Sequence, residues 1–163
     1  MKIIKRVCTL ILSFMMLISL SNTAMAEENW ESLLGTVVDG SVLTNEQEST
    51  GDALKVLRGY YLSDGSSYIS NEGNNIVYIS GSTSCHRTAD ELRVNIYLER
   101  LVNGDWETVT YQHHSEYNTY YAYNGFYILV APGYFYRTVT AHVAIAGDTV
   151  ESLTSKTDWL YIG

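Results

Sequence analysis

The sequence predicts an all-β protein, an antiparallel β-sandwich of about seven to nine short strands. From about Arg58 onward, apolar and polar residues alternate with a period of two, which is the pattern of half-buried strands. Turn signals rich in Gly, Asn and Ser separate these stretches, and the chain contains one proline and fourteen tyrosines, a residue favoured in strands. We expect three segments: a signal peptide over 1–26, an acidic leader or linker over 27–57, and the sandwich over 58–163.

The first 26 residues have the composition of an export signal. Three basic residues precede an apolar run from Val7 to Leu20, and Ala24-Met25-Ala26 offers the small residues that signal peptidase recognises. The run is shorter than the roughly 20 residues that cross a bilayer. We therefore expect cleavage after Ala26, a secreted product and no stable membrane anchor; an uncleaved anchor is the alternative.

The next segment, 27–57, is acidic and has scattered apolar residues. Trp30, Leu33, Leu34 and Val37 have the spacing of one short amphipathic helix, although nearby glycines weaken it. The segment is therefore predicted to be a short helix or a disordered leader, and Ser41 to Asp52 is predicted to be a polar linker.

Charge and cysteine content restrict the class of partner. The formal net charge is −8, and the predicted signal contributes three positive side chains and no negative ones, so the remainder carries −11. This balance disfavours nucleic acid, which requires basic patches. Only Cys85 follows the predicted signal, so no intramolecular disulfide is expected after export.

The clearest local unit is a β-hairpin. Its first strand alternates apolar with polar residues from Leu92 to Leu98, and Trp106 to Gln112 is the returning strand. Asn103-Gly104 between them is a strong signal for a two-residue turn, because both residues tolerate positive φ.

A second strand pair is predicted from Phe126–Val130 and Tyr134–Ala146, joined by Pro132-Gly133 in a type II turn. The later run has an apolar face at its odd positions, is long for one strand and is interrupted at Arg137, so we expect a β-bulge there. Gly147-Asp148 is predicted to turn the chain. The remaining predicted strands are Tyr60–Leu62, Ser67–Ser70, Ile76–Ser80, Val150–Lys156 and Trp159–Ile162.

Two stretches carry a family resemblance: Val94–Arg100 followed by Asn103–Trp106, and Pro132–Val139 followed by His142. Over about Arg58 to Gly163 the chain resembles an uncharacterised family of small secreted proteins from Gram-positive bacteria, a domain of unknown function. The resemblance implies export and a β fold, and it carries no known activity. A weaker likeness to immunoglobulin-like and fibronectin-like modules is architectural, with Tyr134 or Tyr136 in the position of a corner tyrosine.

The sequence shows no catalytic or metal-binding motif. Cys85 and His86 are neighbours, and neighbours on an extended chain point to opposite sides. His113-His114, together with His142 and Glu116, lacks the spacing of known zinc motifs. We therefore predict no catalytic residue, no metal and no cofactor; a small secreted hydrolase with an unidentified site is the alternative.

The strongest candidate for binding is the stretch from Tyr117 to Tyr127, which holds six aromatic rings and no charge. Tyrosine rings beside asparagine amides suit the stacking and hydrogen bonding of sugars, or a tyrosine-rich protein interface. The simpler alternative is that tyrosine occupies half-buried strand positions. If the stretch is strand-turn-strand, Tyr120 and Phe126 lie on the opposite side from the four other rings. The candidate binding residues are Tyr117, Tyr121, Tyr123, Tyr127, Asn118 and Asn124.

These features predict a non-enzymatic extracellular binding or interaction domain. Its expected ligand is a carbohydrate or a cell-surface protein, and a structural or matrix component is a further alternative.

Overall fold

In the computed structural model, residues 44–53 and 59–163 are described, and the regular elements within them are strands. They form one antiparallel sheet of seven strands, which confirms the predicted all-β class. The strands are β1 (Glu48–Asp52), β2 (Leu62–Gly73), β3 (Ile76–Val102), β4 (Asp105–Leu129), β5 (Tyr134–Ala146), β6 (Thr149–Lys156) and β7 (Leu160–Ile162). The predicted signal peptide and the helix predicted around Trp30 lie outside the described residues. No helix in ranges 44–53 and 59–163 has the length and apolar character needed to cross a membrane.

β3 is the central strand and belongs to two layers. Its first part, Ile76–Ser84, pairs with β2 on one side and with β4 on the other. Its second part, Glu91–Arg100, pairs with β5 and again with β4. Because β2 and β5 lie on the same side of β3 and also contact each other, β3 must bend between these two parts. The sheet therefore folds on itself and encloses a core, as the predicted sandwich requires.

We call the two halves of this sheet layer one and layer two. Layer one consists of β1, β2, the first part of β3 and residues 121–129 of β4. Layer two consists of β5, β6, β7, the second part of β3 and residues 105–119 of β4. Their inner faces supply the buried apolar residues, which include Ile69, Val77, Ile79, Leu92, Val94, Ile96, Leu98, Tyr136, Leu160 and Ile162.

The predicted hairpin is confirmed. Val102 pairs with Asp105, so Asn103 and Gly104 alone form the turn, and both have positive φ, 54° and 94°. This is the conformation that favours Asn-Gly in two-residue hairpin loops. The two strands continue far beyond the predicted hairpin, since β3 has 27 residues and β4 has 25.

The second predicted strand pair is wrong. The strands exist, and Gly133 has the positive φ, 86°, expected at this position of a type II turn. However, β4 and β5 pair with opposite sides of β3 and not with each other. Pro132-Gly133 is therefore part of a crossover and does not close a hairpin. A turn signal specifies a change of direction, whereas the long β3 offers each strand a better partner.

The β-bulge predicted at Arg137 is also wrong, because β5 pairs with β3 without a register break from Ile145 to Tyr136. Arg137 interrupts the apolar pattern because its side chain is buried in specific contacts, and not because an extra residue shifts the strand. Its guanidinium lies 3.9 Å from the centre of the Trp106 ring and 2.7 Å from the Glu99 carboxylate. Burial lowers the pKa of Arg137 to about 10 and raises that of Glu99, so desolvation opposes both charges and their direct contact offsets this cost.

The face of β5 that enters the core is the more polar one. The predicted apolar face at odd positions, such as Val139, lies half-buried on the outside. The even positions are buried, and they include Thr138, Thr140 and His142.

A network of side-chain hydrogen bonds makes this polar core face stable. Nδ1 of His142 lies 2.8 Å from Thr83 Oγ1, and its Nε2 lies 2.8 Å from Ser155 Oγ. Ser155 contacts Ser67, which donates to Thr140 Oγ1. All these residues are buried, so each polar atom needs the partner that the network gives it.

The His142 ring packs directly against Gly65. Any larger residue there would collide with the ring, because a Cβ at Gly65 would lie 2.5 Å from it. Burial lowers the pKa of His142 to about 4, although the charge of Asp64 raises it slightly, so the ring is neutral at physiological pH.

β1 lies within the stretch predicted to be a polar linker, and it pairs with β2 from Glu48 to Asp52. Its outer edge is covered by the end of the chain. Asp158 N donates to Ser49 Oγ at 2.9 Å, and Gly51 lies directly against the main chain of Lys156.

Candidate aromatic binding face

The outer face of layer one carries four clustered tyrosines. The register of the sheet places Tyr127 beside Tyr78, Tyr68 beside Ser80, and Tyr123 beside Ser82. These residues point outward because their neighbours along β2 and β3, including Ile69 and Val77, are buried in the core. The outward residues of layer one are Glu48, Thr50, Asp52, Asp64, Ser66, Tyr68, Ser70, Ile76, Tyr78, Ser80, Ser82, Ser84, Tyr121, Tyr123, Gly125, Tyr127 and Leu129. We call Tyr68, Tyr78, Tyr123 and Tyr127 the aromatic face.

Tyr78 links the other three rings. Its ring centroid lies 4.7 Å from that of Tyr127 and 6.1 Å from that of Tyr68, and its hydroxyl shares a hydrogen bond with the Tyr123 hydroxyl. The Tyr78 ring crosses Gly125, where a Cβ would collide with the Tyr78 hydroxyl. The glycine thus leaves the room that the Tyr78 ring occupies.

The exposed fractions show how much of the aromatic face a ligand can reach. Tyr127 is 67% exposed and Tyr123 is 47% exposed, while Tyr68 and Tyr78 are half-buried against their neighbours. Ser66 and Ser82 lie beside the rings and share a hydrogen bond of 2.8 Å. The surface therefore combines ring faces with hydroxyl groups and has no positive charge among its outward residues.

The phenol groups of Tyr68 and Tyr78, whose pKa values are raised, stay protonated at neutral pH. The pKa of Tyr78 is raised to about 12. The largest cause is the hydrogen bond with the Tyr123 hydroxyl, and the second is burial. The hydrogen bond from Tyr68 to the Glu48 carboxylate is the largest cause that raises the pKa of Tyr68. The Glu48 carboxylate contacts Tyr68, and Asp52 and Asp64 lie on the same side of layer one. The face thus suits uncharged, hydroxyl-rich ligands and repels anions.

Three of the six predicted binding residues lie on the outer face of layer one, namely Tyr121, Tyr123 and Tyr127. Their stretch is part of the single strand β4, not strand-turn-strand. Asn124 pairs with Gly81 and, as the neighbour of Tyr123, points to the opposite side of the strand.

Tyr117 and Asn118 lie beyond the register break between Thr119 and Tyr121. Tyr117 is 65% exposed beside Glu91 on layer two, and Asn118 has a positive φ of 51°. The structure therefore separates these two residues from the aromatic face.

The sequence prediction missed Tyr68 and Tyr78, which come from β2 and β3. One signal for them was available. Each alternates with buried aliphatic residues, such as Ile69 and Val77, and this alternation alone places each tyrosine on the outward side of its strand. Their contact with Tyr123 and Tyr127 depends on strand register, which alternation alone does not give.

A polar cluster on layer two resembles a nucleophile with a base, but its hydrogen bonds do not activate the serine. Ser115 Oγ lies 3.0 Å from His113 Nε2 and donates its proton to Glu91 Oε1 at 2.8 Å. The serine proton is therefore directed to the Glu91 carboxylate and not to the His113 imidazole, whose Nδ1 lies against Asn95 Oδ1. A general base has to accept the proton of the nucleophile.

Cys85 is a buried, unreactive thiol. It is 8% exposed, and burial followed by the charge of Glu151 raises its pKa to about 11. Within the described ranges, no group of three or more His, Cys, Asp or Glu side chains is arranged to hold a metal ion.

This environment predicts slow alkylation of Cys85. At pH 8 the folded protein should react with iodoacetamide about 100-fold more slowly than the urea-unfolded chain, because the thiolate is the reactive form. Mass spectrometry of quenched samples gives both rates. Equal rates in the two states would show that the thiol is open to solvent. Cys85→Ser should fold, at a cost of about 1–3 kcal/mol.

The fold and this surface define an all-β protein of two layers with an exposed aromatic face on one of them. The chain matches the model of a family of unknown function, DUF6147, over residues 26–159, and therefore belongs to that family. This confirms the resemblance to an uncharacterised family. Neither a curated protein nor a solved structure matches the chain.

Proposed function

We propose that this protein is an extracellular, non-enzymatic domain that binds neutral polysaccharides on its aromatic face. One observation carries the proposal: Tyr68, Tyr78, Tyr123 and Tyr127 form one connected, outward surface on a regular sheet. An exposed aromatic cluster of this kind is unusual on a surface that has no ligand to bind.

The chemistry of the surface fits the two sides of a sugar ring. The faces of aromatic rings are electron-rich and attract the weakly positive C–H groups on the flat side of a pyranose. Hydroxyl groups of tyrosine and serine, together with the carboxylates at the border, exchange hydrogen bonds with sugar hydroxyls at its edge. The carboxylates also disfavour acidic polysaccharides, as does the net charge of −8.

An extracellular location is part of the proposal and depends on the sequence. The basic start, apolar run and Ala24-Met25-Ala26 support export. The family model begins at residue 26, next to the proposed cleavage site.

Tyr127→Ala is expected to weaken polysaccharide binding about tenfold, because one stacking ring contributes roughly 0.5–1.5 kcal/mol beyond its buried area. Affinity electrophoresis in gels with soluble neutral glucans, mannans or xylans measures the effect. The melting temperature should stay nearly unchanged, because the Tyr127 ring is mostly exposed.

Tyr117→Ala is the matched control, since this tyrosine is equally exposed on the same strand but lies outside the aromatic face. It should bind like the unmodified protein. Equal loss in both variants would contradict the assignment of the face. Failure of the unmodified protein to be retarded by any of these neutral polysaccharides would contradict the proposed function.

A further inference from the structure

We infer that two copies of this chain associate through β4, with residues Tyr123–Tyr127 pairing antiparallel to the same residues of the second copy. The inference concerns an interaction surface and does not depend on polysaccharide binding. It rests on three observations: β4 has no partner beyond β3 among the described strands, its residues do not repel a copy of themselves, and its hydrogen-bonding groups have a self-complementary order.

β4 is the open edge of layer one. Among the described strands, it pairs with β3 alone along its whole length, whereas the opposite edge, β1, is covered by the main chain at Lys156. Proteins usually protect such edges with Lys, Pro or inward-pointing charges. β4 contains no Lys, Arg or Pro, and Tyr117–Leu129 contains no charged residue. A long, uncharged edge of this composition is a template for pairing.

Along β4, the main-chain hydrogen-bonding groups of successive residues alternate in direction: one residue faces β3, and the next faces away from β3 at the edge of the sheet. Val130 N donates to Asn75 O at 2.8 Å, so in this register the even-numbered residues of β4 bond to β3. The main chain at Tyr123, Gly125 and Tyr127 therefore directs its N–H and C=O groups away from β3, in the plane of the sheet. Tyr121 agrees with this order, because its N and O bond to the Thr119 hydroxyl and not to the main chain of β3.

Gly125 is the centre of the stretch with unbroken register, 121–129. A two-fold axis at Gly125 places Tyr123 opposite Tyr127 of the second copy. These two residues and Gly125 direct their main-chain groups toward the second copy, so their pairs form hydrogen bonds, whereas Tyr121, opposite Leu129, keeps its bonds to the Thr119 hydroxyl. Aromatic pairs in this arrangement stabilise antiparallel strands.

The geometry has a consequence for the aromatic face. The two-fold axis of an antiparallel strand pair is perpendicular to the sheet, so both aromatic faces lie on the same side of the joined sheet. The row of rings continues across the interface: within one copy Tyr78 lies beside Tyr127, and Tyr127 then lies beside Tyr123 of the second copy. Two sites become one continuous surface, on which a polymer gains avidity.

Sedimentation of the purified chain, without any polysaccharide, tests the association. We expect a concentration-dependent dimer that strengthens with added salt, because both copies are acidic and salt screens their repulsion. Amide hydrogen exchange then locates the interface. Tyr123, Gly125 and Tyr127 should become protected as the concentration rises, whereas Asn124 and Phe126 are protected at every concentration.

Tyr127→Pro removes an N–H that faces the second copy and leaves the hydrogen bonds to β3 intact, so it should raise the dimer dissociation constant about tenfold or more through the two symmetric Tyr123–Tyr127 pairs. Tyr127→Ala keeps that N–H and is the matched control, with a smaller effect. Circular dichroism confirms that both variants fold. Three results would overturn the inference: a monomer at about 1 mM, a dimer with unprotected outward amides, or protection of these amides in the dilute monomer.

Discussion

Glu99→Ala should lower the free energy of unfolding by about 3–5 kcal/mol, the largest effect expected from a single change in this protein. The guanidinium of Arg137 is 5% exposed and lies under the Trp106 ring, with its Nη2 atom 2.7 Å from Glu99. Removal of the carboxylate takes this short, charged contact away from a buried guanidinium, which is costly in a poorly solvated site. Urea denaturation at pH 7 measures the loss.

The exposed pair Arg100–Glu107 provides the control for this experiment. Its atoms are 3.3 Å apart at the surface, so Glu107→Ala should cost less than about 1 kcal/mol. The double variant Glu99→Leu with Arg137→Met should recover most of the loss, because apolar side chains can replace a buried ion pair. If Glu99→Ala costs no more than Glu107→Ala, the buried pair does not stabilise the fold.

Acid should destabilise the protein through His142. Its pKa is about 4 in the folded state, against roughly 6.5 in the unfolded chain, so the unfolded chain binds more protons between these values. The free energy of unfolding is therefore expected to fall as the pH falls from 6.5 to 4, by about 3 kcal/mol in total. Protonation of His142 also converts its one acceptor nitrogen into a donor, so the hydroxyl group that donates to this nitrogen, in Thr83 or Ser155, loses its acceptor.

Urea denaturation at several pH values between 7 and 4 tests this dependence. His142→Gln should be less stable at pH 7 and should lose most of the pH slope between 6.5 and 5, where carboxylates contribute little. His113→Gln, at an exposed site, should keep the slope of the unmodified protein. An unchanged slope in His142→Gln would assign the acid sensitivity to other groups.

The sequence predicts the strands and turns of this protein better than their partners. Asn103-Gly104 has a specific chemistry that fixes both the turn and the register of the strands beside it. Pro132-Gly133 predicts its turn equally well, yet the strands it joins pair elsewhere. Register over such distances depends on packing between layers, which local patterns do not contain.

The candidate site shows the same limit. The composition of Tyr117–Tyr127 points to the right strand, but Tyr117 and Asn118 lie on the far side of a register break. Tyr68 and Tyr78 join the site only because three strands bring them next to β4. The sequence does not predict the burial of the polar face of β5, for a different reason. Thr and His are expected outside, and only the network around His142 makes their burial favourable.

The shared strand β3 also sets the order in which the protein can be assembled. Neither layer has its central strand until β3 has formed, and β3 forms locally with β4 through the tight turn at Asn103-Gly104. β1 lies against Asp158, 109 residues away in sequence. Contacts over such separations make folding slow, in the range of milliseconds to seconds. During synthesis β1 emerges first among the described strands, and the contact of its Ser49 with Asp158 can form only after the next 109 positions have followed.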